Sequence, residues 1–387
     1  MTTPSSFYGA GLSIDVRTPY IQGADPIGNY AEYVNSYSHV ISASGGYLSA
    51  TFKIVGNEIF TEDWLTHGLG RHITVYGPSA EIIWQGFVNQ LNISMGGVTF
   101  SRGPLVDIAN RVGGVYTPII DATTDPPITG TALETTLVED SNSQMKYGIW
   151  EKLLNIGTVT IGDAYYIRDL YLEENSLPDG NPSISIGNTG DFSVSIDCRG
   201  YSDWLEYIYN FTDNHLSIYL SEIVKNILGN DPNSVISTDY SSISENLVIK
   251  DPWTEDNKTA KTLIDELLAL GGGSDDRWTF GIYKDRKPIY EPIPTDIEYI
   301  YYKAGTTQQI ETIQGTIVEP WNVLPCKWVA IPTFLSSLKK GFGDIRNDPR
   351  VFFAEEVNFT APDQVTINGA KVRKLAQYMA KLGLGSV

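Results

Sequence analysis

Short runs of alternating apolar and polar residues dominate the first third of the chain, and this periodicity constrains the fold more than any other feature. Residues 72–76 and 81–93 are two such runs, and the Gly-Pro-Ser-Ala stretch at 77–80 between them is typical of a hairpin turn. Gly86 lies inside the second run, where a missing side chain usually marks a bulge or a sharp bend of a barrel wall. The pattern therefore predicts a curved sheet that closes on itself.

The composition of the 387-residue chain agrees with a β-rich protein. It contains 23 Tyr, 13 Phe, 8 Trp, 36 Gly and 20 Pro, a mixture that favours strands joined by tight turns and aromatic contact surfaces. At roughly 150 residues per domain, the length corresponds to two to four domains. We therefore expect a β-dominated α+β fold with several domains and a tendency to assemble.

Apolar side chains spaced three and four residues apart predict helices between the strands. The clearest helix covers residues 215–228, and we expect Leu220, Ile223, Val224 and Ile227 to form its buried side. Further helices are predicted over residues 104–112, 149–154, 259–270 and 370–382, and further strands over 158–161, 183–186, 192–198, 277–283, 288–290, 309–317 and 327–331.

A loss of periodicity between residues 116 and 130, which include Pro118, Pro126 and Pro127, indicates an exposed connection between domains. We place the first domain boundary there. The predicted domains are an N-terminal β-domain over 1–116, a β-rich insertion over 117–200, an α+β domain with two amphipathic helices and a hairpin over 201–320, and C-terminal strands with a basic helix over 321–387.

The charge balance excludes one class of partner. Twenty-seven Lys and Arg against 46 Asp and Glu give a formal charge of −19, which repels phosphate backbones and excludes sequence-general nucleic-acid binding. The chain has no apolar run near the roughly 18 residues that cross a bilayer, and its start has no signal-peptide pattern. We therefore expect a soluble protein that is not Sec-exported.

The residues that usually carry chemistry form no recognisable motif. His39, His67, His72 and His215 are far apart and match no zinc pattern. The two cysteines, Cys198 and Cys326, suit buried thiols better than a disulfide framework or a metal knuckle. The acidic pair 275–276 has no calcium-loop spacing and is expected to lie in a solvated loop. The acidic pairs 173–174 and 355–356 are no evidence for a glycosidase, which needs two carboxylates at a defined separation across a cleft. We predict no catalytic residue, no cofactor and no metal site, and hence no enzyme.

One basic segment contrasts with the acidic chain. Lys371, Arg373 and Lys374, followed by Lys381, have no acid between them, and an apolar stripe with spacing three, four, three (Val372, Leu375, Met379, Leu382) runs through the same segment. This pattern makes Lys371, Arg373 and Lys374 candidate partner contacts, which we expect to meet an acidic neighbour. The alternative is an ordinary amphipathic helix packed on its own domain.

Three stretches of the first third, residues 68–76, 83–89 and 102–112, resemble minor tail proteins of tailed bacteriophages. Residues 262–271, 277–283 and 289–292 are similar to the same group. The resemblance implies a baseplate or tail-tip hub, a structural virion protein assembled in the host cytoplasm. It also implies two tail-tube-like β-barrel domains per subunit, with inserted small α+β domains, so that a homotrimer presents a pseudo-sixfold ring to the tail tube.

The same resemblance implies the partners of the protein. They are further copies of the chain, the tail tube or a distal tail protein, and a spike, fibre or tape-measure protein, while DNA meets the ring only in transit. An acidic duct would let DNA pass without binding it, although ordinary solubility explains the acidity equally well.

A carbohydrate- or receptor-binding tail protein is the alternative function. In that case exposed aromatic side chains such as Trp64, Trp84 and Trp150 would stack on sugars. Aromatic residues that alternate along strands are more often part of a core, so this alternative depends on whether these three indole rings are exposed.

Overall fold

The computed structural model describes residues 11–184, 190–209, 213–215, 218–250, 253–255, 258–272, 277–304, 306–331 and 351–370. The fold is β-dominated, as predicted. Its strands are β1 Ser13–Pro19, β2 Pro26–Asn29, β3 Val34–Ser42, β4 Gly45–Val55, β5 Arg71–Tyr76, β6 Ile82–Met95, β7 Val98–Arg102, β8 Arg111–Asp121, β9 Ile128–Thr129, β10 Leu133–Glu134, β11 Val138–Glu139, β12 Glu151–Val159, β13 Gly180–Ile184, β14 Ser193–Arg199, β15 Asp213–His215, β16 Ile218–Tyr219, β17 Ile249–Lys250, β18 Trp253–Glu255, β19 Trp278–Ile282, β20 Pro288–Pro292, β21 Ile297–Ala304, β22 Thr307–Thr312, β23 Ile317–Val318, β24 Trp328–Ala330, β25 Val351–Thr360 and β26 Gln364–Ala370. The α-helices of this part of the chain are α1 Glu58–His67, α2 Ser141–Tyr147, α3 Ile161–Asn175, α4 Leu220–Gly229 and α5 Ala260–Leu270.

One large sheet joins the N-terminal and C-terminal parts of the chain. Strand β6 pairs with β5 through its first half and with β7 through its second half, while β14 pairs along its other edge. The sheet continues through β4 and β3 to β25, which also pairs with β24 and β26. Strands from the first hundred described residues and from residues 351–370 therefore contribute to the same framework.

The predicted closed barrel is not found in the described residues. Strand β3 pairs with β25 and does not return to β1 or β2, so the sheet extends into the C-terminal strands and keeps free edges. The β-bulge that we expected at Gly86 lies at a different residue of β6. Gly86 pairs directly with Ile73, and the register shift lies at Asn89, between the pairs that Gln90 and Val88 make with β14.

The amphipathic helices of the second half form as predicted. Residue Thr259 caps α5 by accepting a hydrogen bond from the Thr262 backbone N–H at 3.2 Å. Helix α4 begins at Leu220, five residues later than predicted, because short strands precede it. Its four expected core residues are completely buried, which confirms that this stripe is part of the main hydrophobic core.

Two predicted helices are wrong. Residues 104–112 contain only a short 3-10 turn at Leu105–Asp107, after which the backbone is extended and β8 begins. Leu105 and Ile108 reach the core from this irregular segment, so their spacing reflects tertiary packing and not a helix. Residues 149–154 run into strand β12 instead, because α2 ends at Gly148 and the Trp150 backbone N–H donates to the Asn110 side chain.

The strand predictions are mostly correct. Hairpin β5–β6, strand β14 and hairpin β19–β20 form at the residues that the alternating pattern predicted. Strands β12, β13, β22 and β24 overlap the predicted strands only in part. The predicted helix over 370–382 begins on Ala370, the last residue of β26, and its other residues lie outside the described part of the chain. The three boundaries between the four predicted domains stay predictions.

Candidate assembly surface

Residues 111–179 form a small lobe beside the large sheet, and β13 then returns to the large sheet and pairs with β7. Strand β8 is its centre: β12 pairs with β8 in parallel, and the short strands β9, β10 and β11 pair with it antiparallel. Asn110 ties the lobe to the main body. Its amide nitrogen donates to the Gly148 carbonyl at 2.7 Å, and its amide oxygen accepts from the Trp150 backbone N–H at 2.8 Å. Trp150 is itself completely buried against Trp204, with ring centroids 4.4 Å apart.

Helix α3 lies across β8 and β12, and the side chain of Arg168 anchors its buried side. Thr160 caps the helix, and its Oγ1 accepts from the Asp163 backbone N–H at 3.2 Å. The Arg168 guanidinium donates to the Thr136 carbonyl at 2.7 Å and lies 4.7 Å from the Tyr165 ring centroid. The helix position is therefore fixed by a satisfied polar anchor more than by apolar burial.

The outer side of α3 carries an apolar patch. Tyr166, Ile167 and Leu170, which we call the α3 patch, are 67%, 39% and 37% exposed. Their three- and four-residue spacing places them together on one side of the helix. Exposed acidic side chains lie at both ends of the patch, Asp163 at one end and Glu173 and Glu174 at the other.

The rest of the lobe is also rich in exposed apolar side chains. Within the described residues, 22 large apolar side chains are exposed, and 11 of them lie in residues 111–184. Single exposed apolar residues are ordinary, whereas a concentration of them marks an interaction surface. Besides the α3 patch, the lobe exposes Ile120, Ile128, Leu133, Leu137, Met145, Ile161 and Leu177, and Ile184 is exposed at the end of β13 in the large sheet.

The predicted contact residues cannot be placed. Lys371, Arg373 and Lys374 lie outside the described residues. The three tryptophans named for sugar stacking are described, and the structure rules them out for that role. Trp64, Trp84 and Trp150 are at most 1% exposed, so no ring face can reach a sugar.

Two histidines belong to the core. His72 Nδ1 is hydrogen-bonded to the Tyr201 hydroxyl, and His39 Nδ1 is 2.7 Å from the Tyr37 hydroxyl. Burial lowers the pKa of each imidazole to about 3, so both are neutral at physiological pH. The thiols of Cys198 and Cys326 are buried, as predicted. In the described part of the chain, no group of three potential metal ligands comes together.

One carboxylate is held in an unfavourable environment. Burial raises the pKa of Asp203 to about 6, and the Arg199 guanidinium, 3.5 Å away, offsets part of this increase. The Glu206 and Asp197 carboxylates raise the pKa further, while Lys261 lowers it. Asp203 lies in a short 3-10 helix that packs on α5, so its charge affects the stability of the main core.

A separate cleft of about 450 Å³ lies between the β19–β20 hairpin, the start of β6 and residues 321–327. The Trp321 indole N–H and the Asn322 amide both donate to Oε1 of Glu81, at 3.2 and 3.3 Å. Lys284 and Glu291 also line the cleft. Its volume is in the range of small-molecule pockets. No local sequence pattern indicates this cleft, because its residues come from distant segments.

None of the helices in the described residues has the length and apolar content needed to span a bilayer.

No family model matches the chain, and no curated protein matches it. Two solved structures align with most of it. A tail protein from Neisseria meningitidis MC58 has a TM-score of 0.40 and 9% identity, covering 92% of this chain and 94% of its own. The 43 kDa tail protein of prophage MuSo2 from Shewanella oneidensis has a TM-score of 0.40 and 8% identity, covering 94% and 98%. Both are tail proteins, but this TM-score is too low for either to establish the fold or the function of this chain.

Proposed function

We propose that this protein is a structural component of a phage tail, a baseplate or tail-tip hub whose copies form a ring, most simply a trimer. The ring would join the tail tube to the distal spike or fibres and let DNA pass. The observation that carries the proposal is the apolar surface of the small lobe, because a protein that acts alone would expose those side chains to water at a cost.

The residues that resemble phage minor tail proteins are consistent with this role. Residues 68–76 and 83–89 belong to hairpin β5–β6, and 262–271 to helix α5. Residues 277–283 and 289–292 belong to hairpin β19–β20. These segments build the framework of the large sheet and its core, so the resemblance concerns architecture and not a reaction. No enzymatic activity is proposed.

The charge of the chain suits a duct for DNA. At −19 the assembled ring would repel phosphate groups, and we propose that its inner wall is acidic or neutral. Basic residues would then collect at contacts between proteins. A structure of the ring that placed Lys371, Arg373 and Lys374 in the open lumen would contradict this part of the proposal.

Negative-stain class averages of the purified full-length chain test the ring directly. The proposal expects closed particles with threefold symmetry. Closed rings of six copies would contradict the trimer, and isolated single subunits under virion-like ionic conditions would contradict the ring itself.

Carbohydrate binding remains the second candidate, and only the cleft favours it. An indole ring beside a carboxylate and an amide is a combination that can contact both the face and the hydroxyl groups of a sugar. If this function were correct, glycans would change the fluorescence of the wild-type protein and not of the Trp321→Phe variant. The hub proposal expects no glycan-dependent change in either protein.

A further inference from the structure

We propose that the cleft between hairpin β19–β20, the start of β6 and residues 321–327, which we call the hairpin cleft, binds an extended segment of another tail protein. In that segment an acidic and a basic side chain flank apolar residues. The inference rests on the proposed role in a phage tail and names the chemistry of one partner. It concerns a different surface from the small lobe, where copies of this chain are proposed to meet.

The face of hairpin β19–β20 forms the floor of the hairpin cleft and sets its length. Thr279 pairs with Glu291, and Gly281 pairs with Ile289, and all four residues line the cleft. Lys284 lines the cleft from the turn of the hairpin. A strand rises about 3.3 Å per residue, so roughly 13 Å separate Thr279 from the start of this turn. Lys284 and Glu291 therefore lie towards opposite ends of the cleft.

The neutral polar side chains of the hairpin cleft already have partners within the chain. Their N–H and O–H groups donate to backbone carbonyls or to Glu81, and they belong to Tyr47, Thr279, Tyr283, Trp321 and Asn322. The Cys326 thiol likewise lies 3.5 Å from the Thr279 hydroxyl. A neutral ligand would therefore find few free hydrogen-bonding groups here, which favours a charged ligand over a neutral sugar.

Two charged side chains of the hairpin cleft have no such partner. Lys327 pairs with Glu298 at 2.5 Å. Lys284 and Glu291, by contrast, form no ion pair and no side-chain hydrogen bond with any residue that the structure describes. Opposite charges towards the two ends of one cleft are complementary to a ligand that carries the reversed pair of charges.

Apolar surface lies between these charges, and the walls of the cleft are already joined. Ile289 lies between Lys284 and Glu291 on the hairpin, and Ile82 and Leu324 add apolar surface from the walls. The hydrogen bonds of Glu81 connect the start of β6 to residues 321 and 322. A preformed site of this kind loses little conformational entropy on binding.

An extended peptide spans the distance between the two charges, whereas a single free amino acid does not. About four extended residues cover roughly 13 Å. An acidic side chain near Lys284 and a basic one near Glu291 would both be paired, and the residues between them would contact the apolar walls. The partner is therefore a short extended segment with opposite charges at its two ends.

Labelled peptides added to the full-length wild-type protein test the proposal by fluorescence anisotropy. The first probe is the capped peptide Asp-Leu-Val-Leu-Lys. Three control peptides keep its apolar centre and carry two aspartates, two lysines or two serines at the ends. We expect the first probe to bind about fivefold more tightly than each control, the effect of about 1 kcal/mol from paired charges.

Charge reversal in the cleft changes which peptide should bind best, and loss of folding cannot imitate that change. Lys284→Glu should give about a fivefold preference for the peptide with two lysines, and Glu291→Lys the same preference for the peptide with two aspartates. Lys152→Glu and Glu134→Lys make the same changes in net charge at exposed positions of the small lobe and should leave the preference unchanged. All preferences should weaken at 1 M salt, where the screening length is roughly 3 Å.

The outcomes separate this inference from the proposed function. Equal binding of the first probe and the serine peptide to the wild type, or an unchanged preference in both cleft variants, would overturn the proposal. A glycan-dependent fluorescence change that requires Trp321 would assign the cleft to a sugar instead. If the wild type forms rings and the peptides bind alike, the cleft proposal fails and the ring stands. If a monomeric wild type prefers the first probe, the ring fails and the cleft site stands.

Discussion

At the scale of single residues, the positions that sequence singled out often matter for a reason that only the fold reveals. Gly86 was expected to mark a bulge, yet it pairs regularly with Ile73. A Cβ atom at this position would lie 2.2 Å from the Arg199 carbonyl oxygen and 2.3 Å from the Trp84 ring. The bulge belongs to Asn89, whose buried side chain accepts a hydrogen bond from the Val106 backbone N–H at 3.0 Å.

We therefore expect Gly86→Ala to destabilise the protein by about 1 to 3 kcal/mol, because neither β14 nor the buried Trp84 can yield without breaking sheet pairing. Chemical denaturation measures this change. Gly180→Ala is the matched control, since a Cβ there meets no atom within 4 Å and the residue lies in the exposed strand β13. Equal stability of the two variants would refute the close-approach explanation.

The half-buried carboxylate of Asp203 gives the stability a pH dependence. Its folded pKa of about 6 exceeds the ordinary value of 3.8, so the folded state binds this proton more tightly than the unfolded state. The cost of ionising Asp203 is fully present above pH 6 and disappears as the pH falls towards 4.

Asp203→Asn should consequently be more stable than the wild type at pH 8, by about 1 to 3 kcal/mol, with no difference near pH 4. Thermal unfolding of both proteins across this range measures the effect. A constant difference at all pH values would mean that packing or the Arg199 contact, and not the charge, determines the result.

At the scale of elements, local periodicity predicts what packs within the subunit. Strands β5, β6, β14 and β19 and helices α4 and α5 follow the predicted spacing because each buries one side against the main core. Helix α3 was missed for the opposite reason. Its inward side combines Ala164 and Arg168 with the half-buried Tyr171 and Leu172, while its apolar patch faces outward, so the sequence contains no one-sided apolar stripe to detect.

Helix α4 offers the clearest test of a buried stripe. Leu220→Ala should destabilise the protein by about 2 to 5 kcal/mol, because the completely buried side chain leaves a cavity in the main core. Asn226→Ala, on the exposed side of the same helix, should be nearly neutral. The thermal midpoints of the two variants decide the matter, and an unchanged midpoint for Leu220→Ala would exclude this stripe from the core.

At the scale of the whole molecule, the sequence predicted the β-dominated fold class correctly and the closure of the sheet wrongly. Alternation determines which residues form strands, whereas the pairing of β3 with β25 joins segments more than 300 residues apart and leaves no local pattern. The same limit applies to the candidate surface. The Trp64, Trp84 and Trp150 side chains are in the core, and the exposed apolar side chains of residues 111–184 are recognised only when the sheet beneath them is known.

The central claim is that the small lobe is where copies of this chain assemble, and solution mass tests it most directly. Light scattering of the full-length wild type should give about 128 kDa, three times 42.7 kDa. The triple variant Tyr166→Ser, Ile167→Ser and Leu170→Ser should give a single-chain mass while it keeps the far-UV circular dichroism spectrum of the wild type and a cooperative thermal transition, because these side chains support no core. A triple variant that keeps the wild-type mass, or a wild type that is itself a monomer, would contradict the account.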